Sequence, residues 1–270
     1  MGKLTSSPAE YALDRPFLRI AMLHLAPRYD NVQHNRELLE AVFLKAVDLQ
    51  ADLIITPELA VSGYGFYKIL GRDWIADDSH KIVARFSQLA AENNVALVLG
   101  SPIFDKKSDR FYNAAIFIDE RGQVLGQHHK FNVLPGSEAW SSPGVEIKPV
   151  NWHRYKIGLL ICADAYTDKI TSELASQGAH VLISPAAWCP GLHGPDGEWE
   201  QRSKETGLCL FVSNRTGNDA QLNFDGSSSL IAVAGSRMLE YSDKKPAILT
   251  VDVNADTWLP INERFNVVQV

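Results

Sequence analysis

FLRIAMLHLAPRYDNVQHNRELLEAVFLKAVDLQADLIITPE, residues 17–58, sets the frame of the fold. Its first nine residues are a short, largely apolar run that reads as a buried strand. Leu38, Leu39, Val42, Ala46 and Leu49 then recur at helical spacing over 31–49, with Asp30 or Asn31 placed to cap the start. DLIITPE (52–58) is a second strand, ended by Pro57. Residues 80–92 give a further amphipathic helix through Ile82, Val83, Phe86 and Leu89, and VALVLGSPIF (95–104) a third strand. The pattern changes after that. NAAIFIDERGQVLGQHHK (113–130) reads as two strands joined by a tight turn at Glu120-Arg121-Gly122. KIGLLIC (156–162) and HVLIS (180–184) are strands, 168–177 and roughly 197–207 are helical, and LCLFVSN (208–214) and most of 227–253 are strand-rich. Strands alternating with helices early and hairpins late specify an α/β layered domain with mixed sheets. Residues 1–16 stand apart as a polar N-terminal extension and 259–270 as a C-terminal tail suited to packing on a partner subunit, leaving 17–258 as one domain.

Composition narrows the function classes. The 270 residues are 46% hydrophobic and 21% charged, with a formal net charge of −6. That is ordinary globular composition, and the absence of a basic stripe argues against nucleic acid as partner. No apolar run approaches the roughly 20 residues needed to span a membrane, and the first sixteen residues lack the apolar core of a secretory signal. Three cysteines, Cys162, Cys189 and Cys209, without a C-x-x-C pair, form neither a disulfide framework nor a zinc site. A reducing, cytoplasmic setting fits that usage.

Three residues carry the chemistry. Glu58 ends a strand in ITPELAVSGY, where an open α/β sheet presents side chains to a crevice, although a solvated loop glutamate reads the same way locally. Lys130 closes the run His128-His129-Lys130, and by itself reads as a surface lysine, since lysine is rarely buried. The two histidines do not suggest a metal, since neighbours on a strand point to opposite faces. Cys162 sits at a strand-to-loop corner before ADAY, a position that presents a nucleophile; a buried structural cysteine is the alternative. Cys189 and Cys209 fit that alternative better.

Taken in order, ITPELAVSGY, HHKFNVLPGSE and GLLICADAY, followed by SPAAW (184–188), Arg202-x-x-Glu205, VSNRTG (212–217) and FDGSSSLI (224–231), resemble the nitrilase superfamily of carbon–nitrogen hydrolases, in its amidase-like branch. The resemblance runs from about residue 17 to 253. It implies a four-layer α-β-β-α sandwich with two mixed β-sheets, a homodimer or larger homo-oligomer, and a Glu–Lys–Cys triad carried onto Glu58, Lys130 and Cys162. It also implies a supporting glutamate, matched by Glu138. In such a site Glu58 acts as base, Lys130 and the backbone N–H of Ala163 steady the oxyanion, and Cys162 forms a thioester, with no metal or organic cofactor. The implied reaction is hydrolysis of a small-molecule linear carboxamide. A nitrile, an N-carbamoyl compound, acyl transfer, and a catalytically idle binding protein remain as alternatives. No arginine lies between Cys162 and Thr171, which argues against substrates held by a carboxylate. Tyr64, Trp140, Tyr166 and Trp188 are expected in the pocket wall, with Phe66 and Trp199 as further candidates. The competing reading makes most of these aromatics core.

Overall fold

A computed structural model describes residues 15–220 and 222–270. Residues 1–14, most of the expected N-terminal extension, lie outside it. In chain order the elements are β1 (Phe17–His24), α1 (Val32–Asp48), β2 (Leu53–Ile55), α2 (Asp73–Asn93), β3 (Ala96–Asp105), β4 (Arg110–Ile118) and β5 (Val124–His129). Then come β6 (Val150–Trp152), β7 (Tyr155–Leu159), α3 (Lys169–Ser176), β8 (Val181–Ala186), α4 (Glu198–Thr206) and β9 (Leu210–Asn214). A two-strand ribbon, β10 (Asn218–Asp219) with β11 (Leu222–Asn223), precedes β12 (Ser229–Val233), β13 (Ser236–Tyr241), β14 (Ala247–Asn254) and β15 (Asn266–Gln269).

Two mixed sheets stack face to face. One has the order β15-β14-β1-β2-β3-β4-β5, the other β13-β12-β9-β8-β7-β6. Each has a parallel centre, β1-β2-β3 in the first and β7-β8-β9 in the second, with antiparallel strands outside it. The period of two along the strands sorts the side chains into layers. Leu18, Ile20, Met22, Leu53, Ile55, Val98 and Phe117 face the second sheet and join Ile157, Leu159, Ile183 and Phe211 in the central core. The alternate residues Ala21, Leu23, Ile54, Leu97, Leu99 and Ile116 face outward, where Leu39, Val42 and Phe43 of α1 and Ile82, Phe86 and Leu89 of α2 cover them. α3 and α4 cover the other sheet through Ile170, Leu174 and Trp199. The result is the four-layer α-β-β-α sandwich.

Helix α1 begins where the sequence places it, with the Asn31 side chain accepting from the His34 N–H at 2.9 Å. Helix α2 starts seven residues earlier than the apolar pattern indicates. Its first turns carry DWIADDS, in which Ile75 and Ser79 are the buried positions, so a polar residue interrupts the stripe. The hairpin turn after β4 is as expected: Gly122 has φ 76°, and the Asp119 carboxylate accepts from the Arg121 and Gln123 N–H groups.

The last dozen residues are not a free tail. Asn266–Gln269 pair antiparallel with β14, Ala247 opposite Gln269 and Thr250 opposite Asn266, and form an edge of the first sheet. Only four residues pair, and three of them are exposed. An edge this short has no continuous apolar run to mark it.

Candidate active site

Glu58 and Cys162 occupy equivalent places in the two sheets. Each lies three residues beyond a central parallel strand, Glu58 after β2 and Cys162 after β7. The two sheets therefore bring their carboxyl ends together where the loops meet. Lys130 follows β5 directly, and its N–H donates to the Asn113 carbonyl of β4 at 2.9 Å.

The loop carrying Glu58 is tightly held. The Glu58 N–H donates to the Ala186 carbonyl of β8 at 3.3 Å, crossing between the sheets. Beside it, the Gly100 N–H donates to the Thr56 hydroxyl at 2.8 Å. A methyl group on Gly100 would collide with the Pro57 carbonyl oxygen, so glycine is required for this approach.

Glu58, Lys130 and Glu138 form one buried cluster with almost no solvent exposure. The Lys130 Nζ donates to Glu58 Oε1 at 2.7 Å and to Glu138 Oε1 at 2.5 Å. The Asn113 amide donates to the same two oxygens, at 2.7 and 3.3 Å. Glu58 Oε2 accepts from the Ala187 N–H at 2.8 Å, and Glu138 Oε2 from the Leu134 N–H at 2.8 Å. Burial lifts the Glu58 carboxyl to about 7; the charge of Glu138 adds to that, and Lys130 opposes it. Burial also works against the Lys130 ammonium, yet Glu58 and Glu138 outweigh it and hold the lysine charged, well above its ordinary range.

Cys162 is buried, with a left-handed backbone, φ 46°, uncommon for a residue with a side chain. Its N–H donates to the Ser184 hydroxyl at 3.3 Å, and it starts a single 3₁₀ turn, Cys162–Tyr166, that also contains Ala163. Burial pushes the thiol well above its usual value; Glu58 raises it further, while Lys130 and the Ala187 N–H favour the thiolate. The three residues singled out in the sequence are thus within electrostatic reach of one another.

Asp164 ties the lysine loop to the cysteine corner. Its Oδ1 accepts from the N–H groups of Phe131 (3.0 Å) and Asn132 (2.9 Å), and its Oδ2 accepts from the Ile161 N–H (3.0 Å) and contacts His128 Nε2 at 2.8 Å. Asn132 returns a bond to the Ala163 carbonyl at 2.8 Å. The paired histidines do face opposite ways. His128 meets Asp164, whereas His129 stacks on Tyr112 with centroids 3.9 Å apart, and burial lowers it to about 4. Among the described residues no group of three or more His, Cys, Asp and Glu side chains is placed to hold a metal ion.

The aromatics occupy three settings. Tyr64 is buried, its hydroxyl 3.1 Å from the Ser137 hydroxyl and its ring 5.9 Å from the Lys130 Nζ. Its position is fixed by Asp219, which accepts from the Tyr64 and Gly65 N–H groups and pairs with the buried Arg215. Trp140 and Phe66 pack edge to face, centroids 4.9 Å apart, in a small cluster with Leu59, Ile75, Ala187 and Phe224 behind the Glu138 loop. Trp199 is buried on α4, its ring 5.0 Å from that of Trp188. Trp188 and Tyr166 form a rim. Tyr166 is about half exposed, its ring 4.8 Å from Trp188, and both side chains donate to the His193 carbonyl, at 3.4 and 2.8 Å.

A profile described as Carbon-nitrogen hydrolase matches residues 19–262. The chain belongs to the carbon–nitrogen hydrolase family. A probable nitrilase of Schizosaccharomyces pombe is 25% identical to it over 250 residues, covering 91% of this chain and 92% of that protein. An (R)-stereoselective amidase of a Pseudomonas species is 29% identical over 231 residues, covering 83% and 80%. Among solved structures, an amidase from a Nesterenkonia species superposes with a TM-score of 0.78 at 26% identity, over 90% of this chain and 93% of that one. A mutant of the Nesterenkonia sp. AN1 amidase, with the acetamide moiety of fluoroacetamide added covalently at its active-site cysteine, gives the same TM-score and identity. It covers 91% of this chain and 94% of that one. The family of carbon–nitrogen hydrolases and its sandwich fold were thus both legible in the order of the sequence segments. Asn113, Ala187, the Asp164–His128 pair and the Arg215–Asp219 pair were not. Each meets the site through contacts between residues far apart in sequence, which no local pattern announces.

Proposed function

We propose that this carbon–nitrogen hydrolase cleaves a linear carboxamide through a thioester on Cys162, with Glu58 as proton carrier and Lys130 as oxyanion partner. The observation that carries this reading is the Lys130 ammonium held between two buried carboxylates beside the cysteine corner. A carboxyl near 7 both accepts and returns protons at neutral pH.

In the first half-reaction the Cys162 thiol gives its proton to Glu58 as sulfur attacks the amide carbonyl carbon. The new C–S bond makes a tetrahedral oxyanion, stabilised by the Lys130 ammonium and the Ala163 N–H. Collapse breaks the C–N bond, and Glu58 passes its proton to the departing nitrogen. In the second half, water attacks the thioester and Glu58 takes its proton. The acid leaves, and the proton returns to sulfur. Glu138 keeps Lys130 in place. Tyr64, Tyr166 and Trp188 supply apolar surface for the acyl group, and Trp140 backs the loop that carries Glu138. This wall presents no arginine from the segment after Cys162, which favours an uncharged acyl group over one bearing a carboxylate.

The same reading includes a reducing compartment and association into a homo-oligomer. Its supports are the three cysteines, free rather than paired, and the family relationship. No helix among the described residues is long and apolar enough to cross a membrane.

The test is ammonia release across aliphatic amides, aromatic amides, carbamoyl compounds and nitriles, with Cys162→Ala as control. Release from a linear amide, abolished in Cys162→Ala, is expected. Added hydroxylamine reports acyl transfer. Turnover restricted to nitriles or carbamoyl compounds reassigns the substrate, and equal rates with Cys162→Ala overturn the nucleophile.

A further inference from the structure

We infer that Asn113 is a positioning residue for the proton transfer: with Lys130 it occupies both acceptor sites of Glu58 Oε1, so that the thiol proton is delivered to Oε2. The inference rests on the Glu58–Lys130–Cys162 reading above and concerns a residue that this reading leaves without a role.

A carboxylate oxygen has about two lone-pair sites. Oε1 of Glu58 already receives the Lys130 Nζ and the Asn113 Nδ2, each at 2.7 Å. Oε2 receives only the Ala187 N–H, at 2.8 Å, and keeps one site open. Ala187 follows β8, and the Ser184 hydroxyl of the same strand accepts the Cys162 N–H at 3.3 Å, so Oε2 is the oxygen turned toward the strand that holds the cysteine corner. The orientation of the Asn113 amide is set by its neighbours. Its nitrogen faces two carboxylate oxygens, and a flip would turn a carbonyl oxygen against both. The price is visible: Oδ1 is buried with no partner, a cost that a side chain chosen only for strand packing would not carry. The backbone of Asn113 adds a second constraint, since its carbonyl accepts the Lys130 N–H at 2.9 Å. One residue of β4 therefore fixes the lysine main chain and both carboxylates.

The charged and titratable groups acting on Glu58 are Lys130, Glu138, Cys162, Tyr64 and Arg215. Of these, only Lys130 donates a hydrogen bond to Glu58, so Asn113 is the one neutral side-chain donor to it among the described residues. Its bond favours the ionised carboxylate.

The experiment uses the full chain with Asn113→Leu, which removes the donor at similar size, and Asn113→Asp, which adds a carboxylate. Two readouts are taken from pH 5 to 9: kcat and KM on an amide that the wild type turns over, and the rate of Cys162 alkylation by iodoacetamide. With Leu, the acid limb of kcat/KM and the alkylation profile should both move up by about one pH unit. The plateau kcat should fall about tenfold while KM stays within about twofold, the pattern of a lost proton-transfer partner. Asp should move both profiles further in the same direction. Thermal melts verify folding, and if Asn113→Leu fails to fold, Asn113→Ser replaces it with the same expectation. Profiles that coincide with the wild type in folded variants overturn the inference. If the wild type hydrolyses no amide, the proposed function fails, and the alkylation profiles still decide the role of Asn113.

Discussion

The substitution Glu138→Gln should move the acid limb of kcat/KM downward, opposite in sign to the Asn113 variants. Both carboxylates bond the same Lys130 nitrogen, at 2.7 and 2.5 Å, so their nearest oxygens are no more than roughly 5 Å apart. At an effective dielectric of about 20, two charges about 5 Å apart repel by roughly 3 kcal/mol, or about 2 pH units. Glu58 stands at about 7, with burial as the first cause and Glu138 among the others. The neutral amide removes the repulsion and leaves the desolvation, so the limb should settle one to two units lower, at about 5–6. The Lys130 ammonium remains charged through Glu58 alone. The plateau rate should also fall, because a glutamine that keeps its carbonyl toward Lys130 turns an NH₂ toward the Leu134 N–H now bonded to Oε2, leaving two donors facing each other. The assay is kcat/KM against pH from 4.5 to 9, with kcat measured separately; the limb belongs to the coupled cluster as a whole. An acid limb at or above the wild-type value would refute the reasoning, whatever the plateau rate.

Gly100→Ala should lower the melting temperature and depress activity together, since its methyl group collides with main chain at Pro57 and costs about 1–3 kcal/mol in overpacking; a denaturation midpoint and a rate measured on one preparation check this. Asp164→Ala should destabilise by about 3–5 kcal/mol in urea, because it strands His128 and three main-chain N–H groups inside the protein. Asn31→Ala should cost about 1 kcal/mol by loss of the α1 cap, with kcat/KM unchanged.

Much of the frame was legible in the sequence for physical reasons. The period of two in FLRIAMLH and in VALVLG sorts side chains between an inter-sheet core and a helix-facing layer, and the structure uses both faces. Helix α1 was legible because Asn31 caps it and apolar residues recur from Leu38 to Leu49, enough to mark it although Asn35 takes a buried polar position near its start. Helix α2 reads short in the sequence because Ile75 is the one buried apolar residue in its first two turns and Ser79 takes the next buried position. β15 is hard to see in the sequence because an edge strand of four residues, three of them exposed, has little hydrophobic signal. In the site, Glu58, Lys130 and Cys162 could be proposed because the segments that hold them stand in the order of the superfamily they resemble; strand corners alone leave each of them open to a loop, surface or core reading. Trp140 and Trp188 show the limit of such reading. Both are large, buried aromatics at loop positions, yet one packs behind the Glu138 loop and the other lies under Tyr166 at the rim. Only the fold distinguishes them. The polar partners Asn113, Asp164 and Ala187 were hidden for a related reason. Asn113 lies in a strand of ordinary composition, and its bonds to Glu58 and Glu138 span 55 and 25 residues.

The most direct measurement is the mass of the protein quenched during turnover of a linear amide, followed by mapping of the tryptic peptide 157–169, IGLLICADAYTDK. A thioester mechanism gives an acyl mass increment on that peptide, carried by Cys162, absent from Cys162→Ala and lost on treatment with hydroxylamine. Turnover without any adduct in rapidly quenched samples, together with undiminished turnover by Cys162→Ala, would contradict it, as would a turnover-dependent acyl group carried by Cys189 or Cys209.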